Sequence, residues 1–308
     1  MGYSEQDNEY GFISRIQRYS INDGPGIRTT VFFKGCSMDC VWCSNPELIN
    51  PTPEILSNKH LCLHCGECHE ACTEGAILLD QGEYVIERSL CNVCGRCVEV
   101  CLGFARELVG RCLSVDELVT ELMKDQVFYN VSEGGVTFSG GEPAMQHEFA
   151  IKLAQDLKSI NIHVAFDTCG NVPWKHLEEL SDVVDLFLYD IKLMDDDKHG
   201  EYTGVSNALV LTNAKRLSAL GVPMIIRLVI IPGCNDSVQE INDKLSFIMQ
   251  LDSVKQVDIL PYHKLGVGKY GMLGRNYLLK DLMPPDHEIL EKLKSNIQSR
   301  GLKVSVGG

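Results

Sequence analysis

The chain has 308 residues, 28 Lys and Arg against 42 Asp and Glu for a net charge of −14, and an apolar content of 44%. That length suits one large α/β domain, with or without an insert, and the apolar content excludes a disordered chain. The acidic balance excludes general nucleic-acid binding, which needs clustered Lys and Arg, and no apolar run reaches the roughly 18 residues of a membrane span.

The N-terminal stretch Met1–Asp7 has neither a basic patch nor an apolar run. No signal peptide is expected, and the reading is a soluble, cytoplasmic protein with no membrane partner. The β-branched and aromatic run Arg28–Lys34 predicts a strand. It feeds a loop over 35–46 that carries Cys36, Cys40 and Cys43. Three thiolates on a four-iron cubane leave one iron open to a non-protein ligand, as a catalytic metal site keeps an open position.

From about Pro53 the chain becomes Cys-rich. Cys62, Cys65, Cys68 and Cys72 follow a C-x2-C-x2-C-x3-C spacing, which Cys91, Cys94, Cys97 and Cys101 repeat. This is the bacterial ferredoxin pattern, in which three thiolates of one run and the fourth of the other hold each [4Fe–4S] cluster. The expected sets are Cys62, Cys65 and Cys68 with Cys101, and Cys91, Cys94 and Cys97 with Cys72. Zinc also uses C-x2-C pairs, but two such dense runs are unlike a zinc ribbon. Thr73 and Leu102 stand where bacterial ferredoxins usually carry Pro. The predicted division is a ferredoxin-like insert over 53–110 within a domain formed by 1–52 and 111–308. Three of the 14 cysteines, Cys112, Cys169 and Cys234, lie outside these groups. They read as small buried apolar residues.

Ser114-Val115-Asp116-Glu117 is a capping box that opens a helix with Leu118, Leu122 and Met123 on one face. Strand-like runs then follow at Val136–Ser139, His163–Phe166, Asp185–Tyr189, Met224–Ile231 and Gln256–Leu260. Helix-like runs separate them at Phe149–Ser159, Leu177–Leu180, Leu209–Leu220 and Val238–Leu251, with Asp286–Ser299 last. The acidic Asp195–Asp197 reads as a solvated loop. Alternation of this kind predicts an α/β fold with a parallel sheet, specifically a partial (β/α)6 TIM-like barrel. An open doubly wound sheet is the alternative. A polar cluster follows every predicted strand, which places the chemistry at the C-terminal ends of the strands.

The sequence resembles the activating enzymes of glycyl radical enzymes, the group that includes pyruvate formate-lyase activating enzyme, from about Ile13 to Val304. The residues that carry the resemblance are the radical S-adenosylmethionine (SAM) signature Cys36-x3-Cys40-x2-Cys43 and the run Asp23-Gly24-Pro25-Gly26-Ile27-Arg28. Ser139-Gly140-Gly141-Glu142-Pro143, Asp190-Ile191-Lys192 and Leu260-Pro261-Tyr262-His263 add to it. The doubled quartet is similar to the insert of the subgroup that activates dehydratases, decarboxylases and C–N or C–S lyases. The resemblance implies that a reduced cluster on Cys36, Cys40 and Cys43 splits SAM to methionine and a 5′-deoxyadenosyl radical. That radical would take a hydrogen atom from one glycine Cα of a partner glycyl radical enzyme, with flavodoxin or ferredoxin as electron donor and the two further clusters as a wire. It also implies residue roles. Trp42, Cys43 and Ser44 would flank the nucleotide, and Gly140, Gly141 and Glu142 would meet the methionyl amine. Lys192 would reach the carboxylate or ribose, with Arg227 as a further carboxylate partner. Asp167, Thr168 and Asp190 would form an oxygen-rich pocket for a monovalent cation beside Ile191. His263 would contact adenosine, and the Asp23–Gly26 loop would receive the glycine-bearing peptide. Two other readings compete: a radical SAM enzyme acting on a small molecule or RNA, and a ferredoxin-type electron-transfer module.

Overall fold

The computed structural model describes residues 8–307. The segment Met1–Asp7, where no signal peptide is expected, lies outside the described residues. The strands in chain order are β1 (Tyr10–Ser20), β2 (Arg28–Phe33), β3 (Glu54–Ser57), β4 (Ile77–Asp80), β5 (Glu83–Ile86), β6 (Arg106–Val109) and β7 (Arg111–Ser114). There follow β8 (Gly135–Gly140), β9 (His163–Thr168), β10 (Leu186–Asp190), β11 (Met224–Ile230), β12 (Val254–Pro261) and β13 (Lys303–Val306).

A nine-stranded sheet runs in the order β13-β12-β11-β10-β9-β8-β2-β1-β7. Neighbours from β2 through β13 are parallel, and β1 joins β2 and β7 antiparallel. The sheet remains open, with β13 and β7 as its edges. The six predicted strands are β2 and β8–β12, consecutive in the sheet. The strands β1, β7 and β13 were not predicted. In β1 the polar Ser14, Arg15, Gln17 and Arg18 interrupt the apolar residues, and β7 and β13 are only four residues long.

One face of the sheet holds the main core. Val31, Phe33, Val136, Phe138, Val164, Phe166, Phe187, Tyr189, Ile226, Leu228, Val257 and Ile259 pack there with helix residues such as Leu118, Leu153, Leu180, Leu217 and Leu293. The strand period of two sends the alternate residues to the other face. That face carries Arg28, Thr30, Thr137, Ser139, Asp167 and Arg227, and the loop over 21–26 lies against it through Asp23. A doubly wound sheet carries helices on both faces; here the helix residues named above share one core with one face of the sheet.

The capping box forms as predicted: Ser114 Oγ accepts from Glu117 N at 3.2 Å, and Glu117 Oε2 accepts from Ser114 N at 2.7 Å. Asp195–Asp197 is not a loop. Asp195 caps the helix Asp196–Thr203, accepting from Lys198 N at 3.0 Å. The periodicity gave no sign of this helix, because it is mostly polar.

The Cys-rich segment is duplicated in structure as well as in sequence. Each quartet contains a short helix, Glu67–Glu70 or Arg96–Glu99, entered through a left-handed glycine, Gly66 or Gly95. His64 and Val93 hold matching positive φ of 53° and 56°. Four residues beyond the last cysteine of each run, a backbone amide points back at its sulfur: Ala76 N to Cys72 Sγ at 3.3 Å and Ala105 N to Cys101 Sγ at 3.2 Å. β3 pairs with β6, and Leu56 and Val109 from that pair pack on Leu273. Arg88 Nε donates to Leu273 O at 2.9 Å, and Glu54 takes buried Lys34 at 3.3 Å.

Candidate active site

A cavity of about 210 Å³ lies at the C-terminal ends of the parallel strands. The loop after β2 forms one wall, and many backbone contacts hold it. Gly35 N donates to Leu48 O at 2.8 Å, Cys36 N to Ile49 O at 3.0 Å, Asp39 N to Thr203 O at 2.9 Å and Val41 N to Tyr202 O at 3.0 Å. The Tyr270 hydroxyl donates to Cys43 O at 3.1 Å. Lys269 Nζ joins Glu47 at 2.6 Å and Asn45 at 2.8 Å. The result is a loop of fixed shape that brings Cys36, Cys40 and Cys43 to one cavity.

The two glycines that end β8 are required by this packing. A Cβ on Gly140 would stand 2.4 Å from Phe33 N, and Gly140 has a φ of +118°. A Cβ on Gly141 would stand 2.1 Å from Gly35 O and 2.8 Å from Leu48 O. Gly141→Ala must therefore push the cysteine loop outward. A cost of about 1–3 kcal/mol is expected, as for overpacking in a core. The check is a denaturant midpoint together with iron content: both fall if the pair sets the loop, and neither changes if the glycines serve only ligand access.

Buried Lys192 and half-buried Asp190 form an ion pair at 2.8 Å on the cavity wall. Burial lowers the Lys192 pKa, but Asp190 and the thiols of Cys40 and Cys169 more than offset it, holding the ammonium well above its usual range. A fixed cation therefore faces the cavity. Burial pushes the Cys40 thiol up to about 12, so it gives up its proton only to a strong competitor such as iron. Asp167 accepts from Ser139 Oγ at 2.6 Å and from Arg227 at 3.1 Å. Burial raises its carboxyl to about 6 against the pull of Arg227.

Cys36, Cys40, Trp42, Cys43, Ser44, Gly140, Gly141, Asp167, Thr168, Asp190 and Lys192 all line the cavity. Five other expected site residues do not. Glu142 is fully buried behind the lining, accepting from Thr168 Oγ1 and Cys169 N at 2.8 Å each and from Ala144 N at 3.1 Å. Burial, then Cys169, drives its carboxyl well above the carboxylate range. Ile191 belongs to the core on the helix face. His263 is exposed, and the neighbouring Tyr262 lines the cavity instead. Arg227 is taken by Asp167 and by the loop, bonding Asp23 at 3.2 Å and Asn22 O at 2.7 Å. Asp23 itself accepts from Thr30 Oγ1 at 2.8 Å on the face of the sheet opposite the main core.

The Asp23–Arg28 run thus folds as a unit. Arg28 is fully buried, donating to Thr137 Oγ1 and Val136 O at 2.6 Å each and to Pro25 O at 3.1 Å. At Gly26, with φ +70°, a Cβ would meet Ser132 O at 2.5 Å. Sequence reasoning missed Ser139, Cys169 and Tyr262 as cavity residues; Tyr262 sat beside the expected His263. A larger cavity of about 430 Å³ opens near Pro25, His163, Asp258 and Ser305, but it contains no thiol.

The duplicated segment has a small cavity of its own, lined by Cys72, Cys91, Cys94 and Cys97 with Ile55, Ile77 and Ile86. Arg106 lies 3.7 Å from the Cys68 sulfur. Among the described residues, no three His, Cys, Asp or Glu side chains converge closely enough for a single metal ion.

The family profile of the radical SAM superfamily matches residues 89–245, a span that begins after the three-cysteine loop. The trans-4-hydroxy-L-proline dehydratase activating enzyme of Clostridioides difficile is 44% identical over 96% of this chain and 99% of its own length. Pyruvate formate-lyase 2-activating enzyme of Escherichia coli is 36% identical over 96% of this chain and 92% of its own. The chain belongs to the glycyl radical enzyme activating enzymes of the radical SAM superfamily. Its reaction is reductive cleavage of SAM to create a radical on a glycine of a partner enzyme. The choline trimethylamine-lyase activating enzyme of Oleidesulfovibrio alaskensis shares 38% identity over 96% of this chain and 97% of its own. In fold the chain is similar to a radical SAM methyltransferase from Sphaerobacter thermophilus, with a TM-score of 0.54, 13% identity, and coverage of 96% and 76% of the two chains. No helix among the described residues is long and apolar enough to cross a membrane.

Proposed function

We propose that this activase holds three [4Fe–4S] clusters and cleaves SAM in the cavity of Cys36, Cys40 and Cys43, within a partial (β/α)6 barrel. The observation that carries this reading is that these three thiols line a cavity that also holds the Asp190–Lys192 pair. The donor set suits a cubane with one open iron, which SAM would complete and which would supply the electron for its cleavage. Lys192 would neutralise the methionyl carboxylate, and backbone groups at Gly140 and Gly141 would meet the amine. Trp42, buried against Tyr202 at 5.9 Å between ring centres, would offer the nucleotide an apolar face. Asp167, Thr168 and Asp190 would hold a monovalent cation. The Asp23–Gly26 loop would lie beside the incoming glycyl peptide.

The segment over 53–110 would be a ferredoxin-like domain. The shared cavity of Cys72, Cys91, Cys94 and Cys97 supports one of its two ligand sets, and the second would be Cys62, Cys65, Cys68 and Cys101. These clusters would relay electrons from flavodoxin or ferredoxin. Iron near twelve per reconstituted chain is expected, since each cubane contributes about four, and iron near eight would contradict three clusters. Serine at both Cys91 and Cys94 should slow reduction by a protein donor more than by a small chemical reductant. Equal slowing would make the segment structural.

The 44% identity with the hydroxyproline dehydratase activase, against 36% and 38% for the other two relatives above, supports a hydroxyproline dehydratase as partner. Electron paramagnetic resonance on that dehydratase after anaerobic incubation with activase, reductant and SAM should show a glycyl radical. A radical on a choline lyase but not on the dehydratase would overturn this choice.

A further inference from the structure

We propose that Arg106 makes the two cluster sites of the Cys-rich segment unequal. Its guanidinium donates to the Cys68 sulfur and raises the reduction potential of the cluster on Cys62, Cys65, Cys68 and Cys101 above that of the other set. The inference rests on the three-cluster reading above. The two cysteine runs repeat at an offset of 29 residues, since 97 − 68 = 29 and 101 − 72 = 29. At that offset Ala105 matches Ala76, and Arg106, the first residue of β6, matches Ile77, the first residue of β4. The duplication is kept in the backbone and broken in charge at this one buried position.

Arg106 is only 5% exposed. Its Nη2 donates to Tyr84 O at 2.7 Å and to Cys68 Sγ at 3.7 Å, and the amide of the preceding Ala105 donates to Cys101 Sγ at 3.2 Å. Two adjacent residues therefore serve Cys68 and Cys101, which belong to the same expected set. Arg106 Nη1 is buried with no hydrogen-bond partner. Among the described residues no Asp or Glu forms an ion pair with it. A buried guanidinium without a carboxylate is costly. A cubane on four thiolates carries net negative charge and would supply the counterion. At the matching position Ile77 is 2% exposed and lines the cavity of Cys72, Cys91, Cys94 and Cys97. It offers neither charge nor donor.

The direction of the effect follows from charge. Reduction adds an electron to a cluster, and a cationic donor at a ligand sulfur stabilises the reduced form. One exposed pair of positions acts the other way. Arg96 lines the second cavity and donates to Thr73 Oγ1 at 3.0 Å, while its match in the first run is the exposed Glu67. Both stand in water, where the dielectric constant is about 80 against an effective value of about 20 inside a protein. At equal distance a buried charge therefore counts about fourfold more, and Arg106 decides the order.

The test uses the full reconstituted chain with Arg106→Met, which keeps an apolar stem, and Arg106→Lys, which keeps the charge. The readout is a redox titration followed by electron paramagnetic resonance of the two components that SAM leaves unchanged, together with iron content. The component altered in Cys65→Ala belongs to the first set, and in wild type it should have the higher midpoint. Arg106→Met should keep wild-type iron and shift that component about tenfold toward the oxidised form, about 59 mV for a one-electron couple, with the other component in place. Arg106→Lys should retain most of the wild-type potential. An unchanged midpoint in Arg106→Met would overturn the inference. So would an equal shift of both components, or iron loss in both variants, which marks a packing role. If wild type shows no component that is indifferent to SAM, the three-cluster reading fails and this inference fails with it.

Discussion

Cys40→Ala should reduce SAM cleavage to background, a loss of at least about 10³-fold, equivalent to about 4 kcal/mol of barrier. Cys40 is buried in the wall of the cavity, and the backbone on either side of it is fixed by Asp39 N to Thr203 O and Val41 N to Tyr202 O. Because the loop is held by backbone bonds, the variant should still fold. Far-ultraviolet circular dichroism should match wild type, while 5′-deoxyadenosine production disappears and about four irons are lost per chain. Substantial cleavage by Cys40→Ala would remove this cysteine from the catalytic set.

Arg227→Met should be the most destabilising single change near the site, at about 3–5 kcal/mol, the usual cost of breaking a buried pair by deleting one partner. The guanidinium bridges Asp23 and Asp167 at 3.2 and 3.1 Å and ties down Asn22 O. Its removal leaves two carboxylates against the inner face of the sheet and frees the loop that precedes β2. Urea denaturation would show a lower midpoint with an unchanged slope. A shift under about 1 kcal/mol would mean that the pair is as weak as a surface salt bridge. The pH dependence has a definite sign. Asp167 holds its proton up to about pH 6 in the folded protein, against an ordinary value of 3.8. Its contribution to stability is therefore present below about pH 3.8 and is lost as the pH rises toward 6. Asp167→Asn should remove that part of the profile, and Arg227→Met should extend the loss to higher pH.

The parts of this fold that were legible in the sequence are those governed by local period and local chemistry. The six parallel strands are dense in Val, Ile and Phe, and Ser114 with Glu117 spells its cap directly. Cysteine spacing alone separated the three-thiol loop from the two quartets. What the sequence concealed depends on long-range pairing. β1 pairs with both β2 and β7 although its own residues are mixed, and β13 joins the sheet only because it lies beside β12. The site divides in the same way. Asp190 and Lys192, two apart at a strand end, were readable as a pair. Glu142 and Arg227 were given ligand roles from motif position, yet their partners Thr168, Cys169, Asp23 and Asp167 lie 26 to 204 residues away. Cys169 passed as packing because nothing nearby in sequence marks it. It joins the cavity of the three cysteines only once the chain is folded.

The central claim is that Cys36, Cys40 and Cys43 hold a cluster with one iron left open for SAM. Its most direct measurement is chemical: anaerobically reconstituted protein is reduced with dithionite, SAM is added, and the products are separated. The account predicts methionine and 5′-deoxyadenosine in equal amounts from wild type and neither from Cys40→Ala. Wild-type protein that holds its full iron, accepts electrons and yet releases no 5′-deoxyadenosine would contradict it.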